Sequence, residues 1–405
     1  MSSPLSQLSN DLIVNTIKYL DSDDLKSLRL SGNKSMCLSD PRLTSHLHLR
    51  MDKVPFFCEN NLNFSEEYIQ QWLYNRSTLV IKNDEKVNWS ASRVTYLVSN
   101  GFMDSVTDII IHNCHLHSQV IEMLSRLPSI KSMTLVDQGD HSDAVYALEN
   151  IITNVGTMSS LTTLDIEFDT VIHGSRLTFL KGLQDLRHLR LIGFDLSEGI
   201  THIGILHELE TLYLCHGNFY SSPNEDVNEK ELTDLIGLRY LKRLHLEGFD
   251  CLTGAGLAWT HSLQNLILKH CQETSDGCLT AIERMEHLNS LHFVLGSCDD
   301  VDTFDQEDLS RLNSLSELKS LSLFYVLEDY SNLRALPGLT SLKTLNLAFD
   351  ETMNNEDVED ICRMFPMLQK LRIFAEDCDM EHSYQVGGVE VEFAEFSFGD
   401  MLYLD

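Results

Sequence analysis

Apolar residues recur along most of this chain in a six-residue pattern, apolar-x-x-apolar-x-apolar, with mostly polar residues between them. The stretch LQNLILKHC, from Leu263 to Cys271, has leucines at places one, four and six and a cysteine at place nine. A mean period of about 26 residues indicates a tandem array of short structural units. Eleven copies begin at Val106, Ile130, Leu161, Leu186, Leu209, Leu241, Leu263, Leu288, Leu318, Leu342 and Leu368.

Each copy predicts a strand, a turn and then a helix. After the strand Leu263–Leu268, the polar residues 272–277 predict the turn. Cys278, Leu279 and Ile282 then stand at helical spacing. One such unit cannot bury its own leucine face, so neighbouring units must stack. The predicted fold class is therefore α/β, a curved horseshoe solenoid with a parallel inner sheet and outer helices.

This pattern resembles the leucine-rich-repeat family, and the cysteine at place nine resembles its cysteine-containing subclass. The resemblance covers roughly residues 76–391, from a degenerate copy at Arg76 to a closing copy at Val386. It implies the leucine-rich-repeat horseshoe. Two polar, acid-rich insertions at 218–232 and 297–309 predict protruding loops, which are either contact sites or merely solvated.

The first fifty residues follow a different pattern, with apolar residues at helical spacing that predict three short helices. Their order and spacing resemble an F-box, the helical motif that docks onto the Skp-family adaptor of cullin-based SCF ubiquitin ligases. The alternative is a plain helical cap on the open end of the solenoid. The F-box resemblance implies that seven apolar residues build and dock the motif: Leu8, Leu12, Ile13, Ile17, Leu20, Leu25 and Leu28.

These patterns divide the chain into four segments. Residues 1–50 form the F-box-like helical domain, and residues 51–105 form a connector with the degenerate first repeat. Residues 106–385 carry the leucine-rich repeats. Residues 386–405 form an acidic C-terminal cap whose alternating pattern predicts a strand that protects the last sheet edge.

The net charge narrows the range of partners. The chain has 61 acidic and 30 basic residues, a net charge of −31. Nucleic-acid phosphates or an anionic membrane would repel such a surface, so we expect neither as a partner. There is no run of 18 apolar residues and no signal-peptide pattern, and the ten cysteines lack paired spacing. We therefore expect reduced thiols and a cytoplasmic or nuclear protein.

The face predicted to be concave has the opposite charge bias. Places two, three and five of the eleven hexamers should line it, and these 33 positions hold nine basic and three acidic residues. Such a face suits an acidic or phosphorylated protein substrate. The alternative is that lysines at place two are only solvated strand-end residues. The candidate substrate-binding residues are Arg187, His188, Arg190, Lys242, Arg243, His245, Lys319, Lys343, Lys370 and Arg372.

No catalytic motif is present, so we expect a non-enzymatic protein without a cofactor. The densest group of potential metal ligands is the stretch HNCHLH, with His112, Cys114, His115 and His117. At place nine of its repeat Cys114 should point inward, away from the histidines, so we expect no metal site.

The sequence therefore predicts a substrate-recognition subunit of an SCF-type ubiquitin ligase. One alternative is a leucine-rich-repeat scaffold or partner-binding protein unrelated to ubiquitin. Another is an acidic inhibitor that clamps a basic enzyme, as in the ribonuclease-inhibitor family. The irregular repeat lengths and the basic concave face argue against that second alternative.

Overall fold

A computed structural model gives the structure of the 405-residue chain. The residues it describes are 49–50, 77–82, 91–112, 118–137, 145–196, 199–216, 232–249, 254–260, 262–271, 276–294, 303–327, 329–348, 353, 355–375 and 382–395. They divide into two compact units: the first comprises the described residues up to Asp137 together with Tyr146–Leu161, and the second comprises Val145 and the described residues from Thr162 onward. Within these ranges, no helix combines the length and the apolar character needed to cross a bilayer.

The first unit contains four parallel strands that pair in chain order. Leu79 lies opposite Ile109, and Ile109 lies opposite Met133, so the degenerate copy at Arg76 aligns with the regular repeats. The two-residue strand β1 was not predicted, and it lies at the end of the segment assigned to the helical domain. The elements are β1 Leu49–Arg50, β2 Thr78–Lys82, α1 Ala91–Ser99, β3 Asp108–His112, α2 Ser118–Leu124, β4 Ser132–Asp137 and α3 Val145–Val155.

The second unit contains a longer ladder, in which β5 to β13 pair in parallel in chain order. The strands are β5 Thr163–Ile172, β6 His188–Phe194, β7 Thr211–His216, β8 Arg243–Glu247, β9 Asn265–Lys269, β10 Ser290–Val294, β11 Ser320–Phe324, β12 Thr344–Ala348, β13 Lys370–Ala375, β14 His382–Val386 and β15 Val389–Glu395.

The apolar places of the repeat form the core. In every copy from Leu161 to Leu368 the residues at places one, four and six are buried, and Leu266 is completely inaccessible. Cys271 at place nine is also buried, and its thiol donates weakly to the carbonyl oxygens of Leu246 and Lys269 at 3.6 and 3.5 Å. Stacked parallel strands with an inward leucine ladder define the leucine-rich-repeat fold, as predicted.

The connecting segments differ from the prediction of one α-helix per repeat. Several are 3₁₀ helices, which rise about 2.0 Å per residue against 1.5 Å in an α-helix and so cross a short repeat with fewer residues. The α-helices are α4 Asp276–Ile282, α5 Gln306–Ser310 and α6 Asn355–Met364. The 3₁₀ helices are Gly174–Gly182, Ile200–His202, Thr233–Gly237, Ala255–Leu257, Arg311–Ser314 and Tyr330–Ala335.

A β-hairpin closes the second unit. Strand β15 pairs in parallel with β13, and β14 pairs with β15 in antiparallel fashion. The turn is Gly387-Gly388, with φ of 59° and 95°, which glycine adopts without steric cost. Val391 lies opposite Leu371 in this register, so it occupies place four, whereas a closing copy that began at Val386 would have put Val389 there.

Candidate functional site

The candidate site is the side of the second unit's sheet that carries places three, five and seven, called here the strand face. All ten predicted substrate-binding residues belong to it or to the residues just before it. The register aligns His188, Arg243 and Lys370 at place three. Arg190, His245 and Arg372 stand at place five, and the remaining four cations, Arg187, Lys242, Lys319 and Lys343, stand at place two.

The place-two residues form a backbone ladder of their own at the amino-terminal ends of the strands. The Lys319 amide donates to Asn289 O at 2.8 Å, the Lys343 amide donates to Lys319 O at 2.8 Å, and the same bond links earlier neighbours. Successive place-two side chains therefore stand in a row, one per strand, about 4.8 Å apart. We call places two and three, from Arg187 to Lys370, the amino-end strip.

Arg190 lies deeper on the strand face and is neutralised within the protein. Its guanidinium nitrogens contact Asp165 Oδ1 and Glu167 Oε2, each at 2.8 Å, and its Cζ lies 5.0 Å from the centre of the Tyr213 ring. Burial alone would lower the pKa of Arg190, but the charges and hydrogen bonds of the two carboxylates raise it. Arg190 therefore holds neighbouring strands together rather than offering a free cation to a ligand.

Next to Arg190 lies a buried acid at place seven. Glu247 is fully buried; it accepts a hydrogen bond from the Tyr213 hydroxyl and contacts Lys269 Nζ at 2.8 Å. Burial, together with the negative charge of Glu247, raises the pKa of Tyr213 and raises that of Cys215 to about 12. Tyr213 is therefore a neutral donor, and the charge of Glu247 is balanced by Lys269.

His245 packs against this cluster. Its ring centre lies 4.0 Å from that of Tyr213, and its Nε2 is buried without a hydrogen-bond partner, 3.8 Å from Glu247 Oε2. Burial and the nearby positive charge of Lys269 lower the pKa of His245 to about 3. His245 is consequently neutral at physiological pH and adds no positive charge to the strand face.

The middle of the strand face, on β10 to β12, carries a buried chain of side-chain hydrogen bonds. The Asn346 amide donates to Ser322 Oγ at 2.9 Å, and Ser322 Oγ lies 2.6 Å from His292 Nδ1. His292 Nε2 in turn lies 2.6 Å from Ser290 Oγ. His292, Ser322 and Asn346 are all buried, so these hydrogen bonds join three neighbouring strands inside the protein.

The amino-end strip, in contrast, faces solvent, and part of its charge is shared with two carboxylates. Glu210 contacts Lys242 Nζ at 2.7 Å and Arg187 Nη1 at 3.2 Å. The hydrogen bond from Lys242 is the main cause of the lowered pKa of Glu210. At the other end Glu392 contacts Lys370 at 2.7 Å and Arg372 at 2.9 Å, and the hydrogen bond from Lys370 is the main cause of its lowered pKa.

Lys319 and Lys343 differ from these paired cations. Both are exposed, they occupy adjacent rungs of the place-two ladder, and no carboxylate among the described residues pairs with either. Gln264 and Asn289 precede them along the ladder, and Gln369 follows. Unpaired positive charge on the amino-end strip is therefore concentrated on β11 and β12.

The structure places six of the ten residues predicted from the sequence on the strand face and four at place two just before it, and the prediction missed several residues that determine the charge of this face. The count of charges by repeat place missed Glu247 and Lys269 because it did not include place seven. Glu392 was missed because the closing copy was not among the eleven copies counted, and its register was also assigned wrongly. A count that included place seven would have found Glu167, Glu247 and Lys269.

Two other predictions fall largely outside the described residues. The seven candidate adaptor-binding residues from Leu8 to Leu28 lie there, as do Cys114, His115 and His117 of the proposed ligand cluster. Within the described part of the chain, no group of three or more histidine, cysteine, aspartate or glutamate side chains is arranged to hold a metal ion.

Comparison with known proteins finds only structures that are similar to this chain at low sequence identity. No family model matches the chain, and no curated protein is significantly similar to it. An internalin (inlF) from Listeria monocytogenes is 19% identical with a TM-score of 0.42, and the match covers 70% of this chain and 87% of that one.

Two further solved structures share this likeness over less than half of their own length. TLR13, solved as a complex with ssRNA13, is 17% identical with a TM-score of 0.44, over 75% of this chain and 46% of that one. The leucine-rich-repeat ectodomain of the Arabidopsis receptor kinase HAESA, solved with an IDA peptide hormone, is 16% identical with a TM-score of 0.36, over 63% and 41%. The fold assignment for this chain rests on its own strand register and buried leucine ladder.

Proposed function

We propose that this chain is a non-catalytic partner-binding protein whose amino-end strip binds an acidic or phosphorylated segment of another protein. The observation that carries the proposal is the exposed couple Lys319 and Lys343 on adjacent strands, with which no carboxylate of the described residues pairs. Their backbones lie on neighbouring strands about 4.8 Å apart, so two long lysine side chains can reach the same carboxylate or phosphate. A leucine-rich-repeat solenoid supports this role because its strands present an extended binding surface.

The charge contrast between strip and chain supports an acidic partner over a basic one. The chain carries a net charge of −31, so an acidic partner is repelled by most of its surface and attracted only at the amino-end strip. Such contrast favours one docking position through electrostatic complementarity. It also disfavours nucleic acid, whose phosphates extend far beyond a two-lysine site.

Charge reversal tests the proposal once proximity labelling of the full-length chain in cells has identified a partner. We expect the double substitution Lys319→Glu and Lys343→Glu to weaken that partner's affinity tenfold or more. The matched control is Lys181→Glu, which makes the same charge change at an exposed lysine of the 3₁₀ helix Gly174–Gly182. Equal affinities for the wild type and the double variant would exclude the strip as the binding site.

At a finer level we propose that the bound protein is a substrate for ubiquitin transfer and that residues 1–50 dock a Skp-family adaptor and its cullin complex. The support is the sequence pattern of Leu8 to Leu28. A pull-down with purified adaptor tests it. A variant that lacks residues 1–48 should lose adaptor binding; the deletion ends at residue 48 because Leu49 of β1 pairs with Leu79. Folded full-length protein that fails to bind the adaptor would favour the alternative, a scaffold whose first residues only cap the repeats.

We also propose that the protein acts in the cytoplasm or nucleus. The four cysteines that the structure describes, Cys215, Cys271, Cys278 and Cys362, are not in disulfide bonds, which suits a reducing compartment. Imaging of a fluorescent fusion tests this proposal, and retention in the secretory pathway would contradict it.

A further inference from the structure

Two hydroxyl side chains stand beside the lysine couple on the amino-end strip. Ser320 follows Lys319, Thr344 follows Lys343, and the register puts Ser320 directly opposite Thr344 on the neighbouring strand. Both residues are half-buried, and neither hydroxyl has a hydrogen-bond partner within the part of the chain that the structure describes. Two ammonium groups and two hydroxyls therefore lie on adjacent rungs with their donors unused. We call these four residues the four-donor set.

The backbone at this edge brings places two and three to the same surface. Lys319 O accepts from Lys343 N at 2.8 Å and also from Thr344 N at 2.9 Å. In a regular parallel ladder the hydrogen bonds are evenly spaced, and successive side chains point to opposite sides of the sheet. Place two would then point to the core side, as places four and six do, whereas Lys319 and Lys343 are exposed. The lysine and hydroxyl side chains can therefore contact one group that lies against the strand ends.

The strand places around the four-donor set carry no acid. On β9 and β10 these places hold only amide and hydroxyl residues, namely Gln264, Asn265, Asn289 and Ser290. Two acids, Glu286 and Glu317, stand on the turns that lead into β10 and β11, and the Glu317 carboxylate lies 3.8 Å from His287 Nδ1. The donors of the set are therefore not occupied by a carboxylate of the described residues.

The described part of the acid-rich insertion at 297–309 begins at the opposite edge of the sheet. Phe304 N donates to Val326 O at 2.8 Å, and Val326 follows the carboxyl end of β11. The five residues of β11 span about 17 Å, so this edge is far from the lysines. Asp305 and Asp308 are also used locally, because their carboxylates cap the amino-terminal end of α5.

The number and type of the donors favour a phosphate over a carboxylate. A carboxylate is planar, offers two oxygens and pairs best with the planar fork of arginine. A phosphate on serine or threonine carries a charge of about −1.5 to −2 at neutral pH and offers three strong acceptor oxygens. Two point charges flanked by two hydroxyls supply donors from both rungs to these three oxygens, which is more than a carboxylate can accept in one plane.

We infer that the segment bound at the amino-end strip is phosphorylated and that the four-donor set holds its phosphate. The ammonium groups of Lys319 and Lys343 and the hydroxyls of Ser320 and Thr344 donate to the phosphate oxygens. This inference rests on the proposed function, which it narrows from acidic or phosphorylated segments to phosphorylated ones. A nucleic acid or an anionic membrane is a poorer source of the phosphate, because either presents many phosphates to a chain of net charge −31.

The experiment uses three degenerate peptide libraries that differ only in the fixed central residue, which is phosphoserine, glutamate or serine. Each library is selected on the full-length protein, and the best phosphoserine peptides are then made in all three forms. Fluorescence polarisation measures their affinities. We expect the phosphoserine form to bind about tenfold tighter than the glutamate form, and the serine form to bind more weakly than either.

Three double variants separate the contributions of charge and hydroxyl groups. Ser320→Ala with Thr344→Ala should weaken the phosphoserine form about fivefold and change the glutamate form less than about twofold. Lys319→Glu with Lys343→Glu should abolish binding of both forms. The matched control is Thr163→Ala with Thr211→Ala, which removes half-buried hydroxyls at place three of β5 and β7, and it should leave both affinities within about twofold.

The outcomes distinguish this inference from the proposed function. Equal affinities for the phosphoserine and glutamate forms, both lost in the lysine variant, overturn the inference and leave the proposed function intact. The same holds for a phosphoserine preference that a folded Ser320/Thr344 variant keeps in full. If no library yields a peptide, or if the lysine variant binds as the wild type does, both are overturned. Lysine-dependent binding to vesicles that contain phosphorylated inositol lipids, without a phosphoserine peptide, would identify a lipid headgroup and overturn the inference.

Discussion

At the scale of single residues, the strand face consists of two layers with different electrostatics. Places five and seven hold Arg190, Glu247 and Lys269, which are largely buried and paired inside the protein. A charged side chain at that depth loses its hydration, and only an oppositely charged partner compensates for that loss. These buried charges are therefore stable because they are paired. Places two and three remain in solvent, where Lys319 and Lys343 can stay unpaired at little cost. Only the second layer has charge to offer a ligand.

Whether a strand residue faces the core or the solvent determines how much its replacement lowers the free energy of unfolding. Leu266 is fully buried, so Leu266→Ala should lower the free energy of unfolding by about 2–5 kcal/mol through lost burial and a residual cavity. Its neighbour Asn265 faces outward and is half-buried, so Asn265→Ala should change the free energy of unfolding by no more than about 0.5 kcal/mol. Urea titration of both variants checks this, and equal effects would contradict the assigned facing.

His245 makes stability depend on pH. Its pKa is about 3 in the folded protein and near 6.5 in the unfolded chain, because burial and Lys269 disfavour its protonation. Between these values the unfolded chain binds the extra proton, so this group destabilises the fold as pH falls from about 6.5 towards 3.

The substitution His245→Leu removes this dependence. Relative to the wild type, the variant should gain about 1–2 kcal/mol in the free energy of unfolding when the pH is lowered from about 7 to 5. Urea denaturation at both pH values measures it. A difference between the two proteins that stays constant with pH would show that His245 is already solvated or charged when folded.

At the scale of elements, the hydrophobic pattern predicted the strands well because each leucine triplet has only one side on which it can be buried. The connections were less predictable. Whether the segment around Leu235 and Leu238 forms a 3₁₀ helix or an α-helix depends on the distance that it must cross between two strands, and the neighbouring repeats set that distance. The hairpin was misassigned because Val386, Val389 and Val391 fit the repeat in two registers, and only pairing with β13 selects one.

The contact between Gly204 and Gly237 sets the spacing of two adjacent 3₁₀ segments. Gly237→Ala would place its Cβ 2.4 Å from Gly204 O, and the backbones must separate. We expect a loss of about 1–3 kcal/mol in the free energy of unfolding.

Gly387→Asn is the matched control for this change. That position has no atom within 4 Å of an added Cβ, and asparagine tolerates its φ of 59°. Its effect on the free energy of unfolding should therefore stay below about 1 kcal/mol. Thermal unfolding of both variants measures the difference, and a Gly237→Ala protein as stable as the wild type would mean that the two repeats are not in close contact.

At the scale of the whole molecule, paired charges lie at places five and seven and unpaired cations lie on the amino-end strip of the described residues. Which charged residues pair with each other could not be predicted from the sequence. Tyr213 and Glu247 are 34 residues apart, and Arg372 and Glu392 are 20 apart. A count of charges by repeat place gives the sign of a surface but not which cations are already neutralised. The ten predicted residues therefore reduce to a shorter set of available groups.

Segregated charge also predicts how binding responds to salt. Raising sodium chloride from about 50 to 500 mM should weaken partner binding to the wild type, since exposed cations are screened within a Debye length of about 4–14 Å over that range. The Lys319→Glu/Lys343→Glu variant should respond less or in the opposite direction. Isothermal titration at both salt concentrations measures this, and a parallel response of the two proteins would argue that binding is not electrostatic at these lysines.

The place-two residues present a regular spacing to any ligand that lies across the strands. The rungs of the place-two ladder repeat at about 4.8 Å, whereas an extended peptide advances about 3.3 Å per residue. Lys319 and Lys343 stand one rung apart along the ladder, which an extended peptide crosses in about one and a half residues. An extended segment that follows the ladder would therefore match these lysines best with two neighbouring acidic residues, a pattern that can be searched for in candidate partner sequences.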